Sequence, residues 1–193
     1  MSLKKFGECV RAGDDLGAIL AIQGINYLDS TYGELDNITP ISYATRRNLI
    51  NIVIALVDAG TDVNIQNIDG VSALHHASNM GFEGIVKILL EQGAQIEIKN
   101  RYGRTSLYYA CEAGHTDVAQ LLLDRGADIH STDNLGFTAL HMAPIGGHAD
   151  VVDLLLKWNA NKRAKTSDKR TPMYYARFYN HEPVMTLLRA HGK

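Results

Sequence analysis

Eight histidines and two cysteines are the residues of this chain whose chemistry could hold a metal ion or supply a nucleophile. His75 and His141 belong to one series of positions that recurs at a constant spacing, and His115, His148 and His181 belong to another. Neighbouring packed helices lie about 8–10 Å apart, whereas a Zn–N bond is only about 2 Å long. Histidines of one series therefore cannot share a metal. We expect them to hydrogen-bond loop backbone between structural units.

Motifs for catalysis or for a cofactor are missing from the sequence. There is no Cys-x-x-Cys, His-Glu-x-x-His, Gly-x-Ser-x-Gly or phosphate-binding glycine loop. Gly146-Gly147 is better explained as the end of a helix, and Cys111 as a small buried apolar residue. We therefore expect no enzymatic activity and no cofactor.

The composition is that of a globular protein. Of the 193 residues, 46% are hydrophobic and 21% are charged, and 19 Lys and Arg against 21 Asp and Glu give a net charge of −2. This balance gives no global attraction to nucleic acid or to a membrane surface, and no apolar run approaches the roughly 20 residues of a bilayer span. With no secretory signal and only two cysteines, we expect a reducing compartment, the cytoplasm or the nucleus.

A strict internal repeat organises the whole chain. The string Thr39-Pro40-Ile41-Ser42-Tyr43-Ala44 recurs, with substitutions, from positions 72, 105, 138 and 171, so that every step along the chain has the same length. Five copies in phase, with no insertion or deletion, identify a repeat array.

Each repeat predicts two helices and a loop. The string begins with Thr or Ser, which cap a helix start, and it ends with Ala, which permits close helix packing. Four residues after that Ala the chain has only Gly or Asn, as at Asn48 and Gly81, and these residues tolerate the left-handed conformation that ends a helix. A second helix follows with the i, i+3, i+4 apolar spacing of one buried face, as in Ile52-Val53 and Ala55-Leu56.

This pattern resembles the ankyrin repeat family, whose repeats are about 33 residues long, the same as the spacing of the string. The best matches are Thr138-Ala139-Leu140-His141-Met142-Ala143 with Gly147-His148, and Leu121-Leu122-Leu123 with Gly126-Ala127-Asp128. The resemblance extends over residues 36–193. It implies an all-α repeat solenoid of helix–turn–helix units with hairpin-like loops, and a concave groove lined by first helices and loop tips. The predicted divisions of this one continuous domain are an N-terminal capping repeat at 1–35, repeats at 36–68, 69–101, 102–134 and 135–167, and a C-terminal capping repeat at 168–193.

Both ends and two inner positions depart from the repeat. Residues 3–11 and 16–22 predict the helices of a degenerate cap, with a longer loop at 29–37. At the other end, Arg189 stands at a repeat position that is apolar in the other repeats. Lys169 stands where other loop tips have Gly, which predicts a different turn there. Pro144 lies inside a first helix and is expected to shorten or kink it.

We predict a monomeric protein-binding module that holds another protein or an extended peptide in its groove. Aromatic, Met and Arg side chains are typical of interaction hot spots. The candidate partner-binding residues are Tyr43, Arg46, Val71, His76, Met80, Tyr102, Arg104, Tyr109, Glu112, Phe137, Met142, Arg170, Tyr175, Phe178 and Tyr179.

Three alternatives stay open. The tyrosines and Met142 could instead pack only between first helices. Tyr109 and Glu112, with Phe137 or Met142, could form a cage for a methylated lysine. The basic residues around the last loop, from Lys162 to Arg170, could bind an acidic partner segment or be a solvated loop.

Overall fold

The computed structural model describes residues 3–22 and 38–190, which form α-helices joined by short turns and loops. No strand occurs among these residues, and an isolated antiparallel bridge joins Thr132 to Thr138. The helices are α1 (Leu3–Ala12), α2 (Asp15–Ile22), α3 (Pro40–Arg46), α4 (Ile50–Asp58), α5 (Ala73–Met80), α6 (Glu83–Glu91), α7 (Ser106–Ala113), α8 (Thr116–Asp124), α9 (Ala139–Gly146), α10 (Ala149–Lys157), α11 (Pro172–Phe178) and α12 (Glu182–Ala190).

The chain divides into two compact units. The first unit contains Met1–Ala77 and Gly84–Gln95, and the second contains Ser78–Glu83 and Ile96–Lys193. In the first unit α1 packs on α2, α2 on α4, and α3 on α4. In the second unit the first helices α7, α9 and α11 pack side by side, as do the second helices α8, α10 and α12.

The predicted apolar face of each second helix is buried. In the second unit Val118, Leu122, Val151 and Leu155 are at most 1% exposed, so they form the core between the two helix layers. The alanine that ends each repeated string is fully buried in all five copies. A larger side chain there would separate packed backbones, which explains why this position is invariably alanine.

The predicted N-terminal helices are present as α1 and α2, and the charged residues of α1 are exposed as expected. The loop predicted at residues 29–37 lies outside the described residues. At the other end Arg189 is solvent-exposed and lies 3.9 Å from Glu182. The division of the chain at the repeat boundaries given above stays a prediction.

The threonines at the starts of the first helices differ in their hydrogen bonding. Thr39 and Thr105 accept the backbone N–H three residues later, at 3.3 Å in both cases. At Thr138 a capping box forms, in which the threonine side chain accepts the backbone N–H of His141 and its own backbone N–H donates to Nδ1 of His141 at 3.1 Å. Thr171 occupies the predicted N-cap position of α11 in an extended conformation, but its side chain makes no capping bond.

The expectation of a different turn at Lys169 is wrong, and so is that of a shortened helix at Pro144, whereas the expected kink stays a prediction. Lys169 adopts φ 62° and its N–H donates to the Thr166 carbonyl at 2.8 Å. Gly136, at φ 79°, makes the same bond to Asp133, so the last loop keeps the turn of the others despite its lysine. Pro144 does not shorten α9, which has eight residues like α7. The last turn survives because the Ala143 carbonyl still accepts the N–H of the Gly147 cap.

Glycines at the ends of first helices also determine how closely consecutive repeats approach. Gly114 has φ 82°, and a Cβ built on it would lie 2.5 Å from Nδ1 of His148. The imidazole of His148 therefore occupies the space that a side chain at Gly114 would need, and its Nε2 lies 3.1 Å from the carbonyl of Glu112. His115 repeats this geometry on Gly81, with Nε2 3.0 Å from the Asn79 carbonyl. The expected hydrogen bond to backbone of another repeat is present at both positions, but its acceptor is a carbonyl in the last turn of a first helix and not in a loop.

We predict that Gly114→Ala destabilises the protein more than Gly126→Ala. Both glycines have positive φ, but a Cβ at Gly126 meets nothing within 4 Å. Each substitution forces an L-residue into the left-handed region, at a cost of about 1–2 kcal/mol. The clash with His148 should add about 1–3 kcal/mol at Gly114 alone. Urea unfolding of the two variants measures the difference, and equal losses would mean that the histidine moves aside freely.

The strained turn at Lys169 provides a second test. Lys169→Gly should be more stable than Lys169→Ala by about 1 kcal/mol, because only glycine adopts positive φ without steric cost. Both variants remove the same charge, so their difference isolates the backbone effect. Thermal unfolding monitored by circular dichroism would contradict this prediction if the alanine variant melted at the same or a higher temperature.

Candidate functional site

In the first unit, Arg46 is exposed, whereas the other candidate residues are buried or half-buried. Tyr43 is only 9% exposed, and the guanidinium of Arg47 lies 5.1 Å from its ring centroid. The expectation of a solvated Tyr43 is therefore wrong. Val71 and His76 are half-buried.

The loop tips of the second unit are fixed by side-chain acceptors inside the loop. Oδ1 of Asn100 accepts the N–H groups of Tyr102 and Arg104 at 2.9 and 3.1 Å. Asp133 makes the equivalent bonds to the N–H groups two and four residues later, both at 2.9 Å. The backbone of each tip is thereby held in place, while the side chain of Tyr102 stays 48% exposed.

Arg104 is the centre of a charged and aromatic cluster. Its Nε lies 3.8 Å from Oδ2 of Asp133, and its guanidinium lies 4.8 Å from the ring centroid of Tyr108 and 5.6 Å from that of Tyr102. Burial raises the pKa of Glu112. The positive charge of Arg104 opposes this increase, and the negative charge of Asp133 adds to it. Burial also raises the pKa of the Tyr108 hydroxyl, so this hydroxyl stays protonated and can donate to Asp133, 3.5 Å away.

Two of the predicted binding residues on first helices are less accessible than expected. Tyr109 is half-buried, and Nδ2 of Asn100 donates to its hydroxyl at 2.7 Å. Met142 is only 7% exposed, because α9 has α7 packed on one side and α11 on the other. The expectation that both side chains face solvent is wrong, and their part in binding stays a prediction.

At the C-terminal end of the second unit the candidate residues come together in an aromatic cluster. We use this name for Phe137, Tyr174, Tyr175, Phe178 and Tyr179. The Phe137 and Tyr175 rings lie 5.4 Å apart, Tyr174 and Tyr175 5.3 Å, and Phe178 and Tyr179 5.1 Å. The ring of Phe178 lies nearly parallel to that of Tyr174, at 17° and 6.1 Å. Phe178 is 67% exposed and Tyr179 47%, so the cluster is open to a partner.

Tyr174 is 37% exposed, although its sequence position did not predict it as a binding residue. The residues at the same position of earlier repeats, His75, Tyr108 and His141, are buried. A side chain at this position is therefore expected to belong to the core. His141 is covered by the following loop, and no later loop exists in the described chain to cover Tyr174. The signal that could have found it is its place in the last repeat.

Neither metal-binding nor nucleophilic chemistry has support in the described part of the chain. No group of three or more potential ligands is close enough there to hold a metal ion. Cys111 is fully buried, and burial raises the pKa of its thiol, which keeps it protonated and unreactive.

The family described as "Ankyrin repeats (3 copies)" matches residues 10–100, 41–133 and 121–193. The chain belongs to the ankyrin repeat family. The fold class predicted from the sequence, an all-α repeat solenoid, is confirmed. No curated protein matches the chain. Ankyrin repeats are generally protein–protein interaction modules.

The histidine of the ankyrin string connects one repeat to the next loop. Because Nδ1 of His141 accepts the N–H of Thr138, its Nε2 carries the proton. This Nε2 lies 3.2 Å from the Ala164 carbonyl and 3.3 Å from the Arg170 carbonyl. The backbone of Arg170 is therefore positioned by the preceding ankyrin repeat.

No helix among the residues that the structure describes is long and apolar enough to span a bilayer.

His76 should make stability depend on pH. Burial, reinforced by Arg46 and His75, lowers its pKa to about 4 from an ordinary 6.5. The unfolded chain takes up a proton below pH 6.5 but the folded chain does not, so stability is lost as the pH falls from 6.5 towards 4. His76→Gln should therefore lose less stability than the wild type over this range.

Urea unfolding at pH 7 and at pH 5 measures this effect. His130→Gln is the control for removing a histidine, because the side chain of His130 is exposed. The prediction would be contradicted if the wild type and His76→Gln lost the same free energy of unfolding between pH 7 and pH 5.

Proposed function

We propose that this ankyrin-repeat chain is a non-enzymatic module that binds another protein or an extended peptide. The binding face comprises the loop tips and first helices of the second unit. One observation carries the proposal, namely where the exposed large apolar side chains of this unit lie. Six of the seven in its described residues are on loop tips or first helices, and one, Trp158, ends a second helix. The six are Met80, Tyr102, Leu135, Tyr174, Phe178 and Tyr179.

The chemistry of this face supports recognition of a protein. Tyr102 lies between two guanidinium groups, with Arg101 4.7 Å and Arg104 5.6 Å from its ring centroid. Tyrosine and arginine are enriched among hot-spot residues because they combine a large contact area with hydrogen bonding. The fixed backbone of the loop tips reduces the entropy lost on binding. We propose that the protein acts as a monomer in the cytoplasm or nucleus.

The geometry does not favour the methyl-lysine cage. Met142 is buried, and the hydroxyl of Tyr109 accepts a hydrogen bond from Asn100. The ring of Phe137 contacts His141 and Tyr175. We therefore do not include the cage in the proposal.

Site-specific photocrosslinking tests the binding face. A photoreactive phenylalanine analogue at Tyr102 or Leu135 should crosslink a cellular protein, whereas the same analogue at Trp158 should not. The three sites are matched, since all are exposed large apolar residues at 48%, 60% and 39%. Crosslinks formed equally from all three sites would contradict the proposed face.

Calorimetry with the captured partner then measures the contribution of each side chain. If Tyr102 is a hot spot, Tyr102→Ala should lower the affinity by roughly thirtyfold, the equivalent of about 2 kcal/mol. Trp158→Ala is the control and should leave the affinity unchanged. Unaltered affinity in a folded Tyr102→Ala variant would remove this residue from the interface.

A further inference from the structure

A pocket of about 200 Å³ lies beside the aromatic cluster, formed by the last loop and α11. Its walls are Asp168, Arg170, Tyr174, Tyr175, Phe178 and Tyr179. Pockets for drug-sized ligands typically measure about 300–1,000 Å³. This pocket is therefore suited to a single side chain rather than to a whole small molecule.

Arg170 presents its guanidinium to this pocket from a fixed backbone. Its N–H donates to Oγ1 of Thr166 at 3.3 Å, and its carbonyl accepts from Thr166 N–H at 3.0 Å and faces Nε2 of His141 at 3.3 Å. The guanidinium itself lies 4.2 Å from the ring centroid of Tyr174. No carboxylate pairs with it among the residues that the structure describes, so its N–H donors are available to an anion.

The chain segment that contains the pocket is basic. Residues 161–190 contain seven Lys and Arg but only Asp168 and Glu182 as acids, in a chain whose net charge is −2. Lys165, Lys169 and Arg177 are exposed. An approaching segment therefore meets a positive field that favours acidic residues.

We propose that this pocket captures an acidic peptide segment, with one aromatic or large apolar side chain inserted among the rings and flanking carboxylates bound by Arg170 and the neighbouring lysines. This inference rests on the proposed function and specifies the chemistry of the partner. Arg170 offers a planar pair of donors suited to a carboxylate. Asp168 offers an acceptor for a peptide N–H.

The same features distinguish a peptide from a nucleic acid. Single-stranded nucleic acid also combines negative charge with planar rings that stack on aromatic side chains. The carboxylate of Asp168 in the pocket wall repels the anionic groups of either ligand, but it can accept the N–H of a peptide backbone, a donor that a phosphodiester backbone lacks. The observations therefore favour the acidic peptide, and a nucleic acid is one of the outcomes of the test.

Fluorescence polarisation with the full chain tests the proposal. The probe is a short fluorescein-labelled peptide in which glutamates flank one central phenylalanine. Peptides with glutamine for glutamate, or with alanine for phenylalanine, are the matched controls. We expect saturable binding of the probe that weakens with added salt, and weaker binding of both control peptides.

Variants of the protein then test whether the probe binds at this pocket. Arg170→Gln and Phe178→Ala should each weaken binding of the probe by roughly tenfold or more, as truncation of hot-spot residues does. Arg125→Gln and Trp158→Ala are the controls, since both side chains are exposed and lie at the ends of second helices. Circular dichroism melts check that every variant is folded.

Three results would overturn the proposal. They are no binding of the probe by the wild type, unchanged affinity in folded Arg170→Gln, and stronger binding of a single-stranded oligonucleotide that competes with the probe. Failure here is separable from failure of the proposed function. Crosslinks from Tyr102 and Leu135 without binding of the probe would keep the protein-binding face but reject the acidic partner.

Discussion

The close contact between a helix-ending glycine and the histidine of the next repeat is the constraint on which the second unit depends. At Gly114 the left-handed backbone ends α7, and the missing side chain leaves room for the imidazole of His148. That imidazole in turn reaches the carbonyl of Glu112, one of the groups that the helix end leaves unpaired. The glycine thus provides the conformation and the spacing of the repeat junction, and the histidine provides its hydrogen bond.

The fold could be predicted from the sequence because each structural role occurs in every repeat. The alanine column is buried throughout, and Gly or Asn ends each described first helix with positive φ, as at Asn48 and Asn180. Predictions were wrong where one residue differs from those at the same position of the other repeats. Lys169 looked incompatible with a glycine turn, yet the surrounding bonds hold it there. Pro144 looked disruptive, yet it removes one donor from a helix whose cap is intact.

The candidate site was less predictable, because exposure depends on neighbours rather than on residue type. Met142 and Tyr175 occupy the same column, but Met142 lies on a helix packed on both sides and is buried, whereas Tyr175 is half-buried. Tyr174 belongs to a column that is otherwise core and is nevertheless exposed. Helical periodicity gives the direction of a side chain within its repeat. It does not say whether another repeat covers that side chain.

The repeat junctions of the second unit have a mechanical consequence. Each glycine–histidine contact joins only consecutive repeats, so a pulling force along the array would load these contacts in series, and the weakest would yield first. A Cβ at Gly147 would lie 2.7 Å from Cε1 of His181, so the close approach is kept at this last junction. Among the described residues, however, the His181 side chain makes no hydrogen bond like those of His115 and His148. Tension should therefore detach α11 and α12 before the inner repeats yield, and the aromatic cluster would be the first surface to lose its shape.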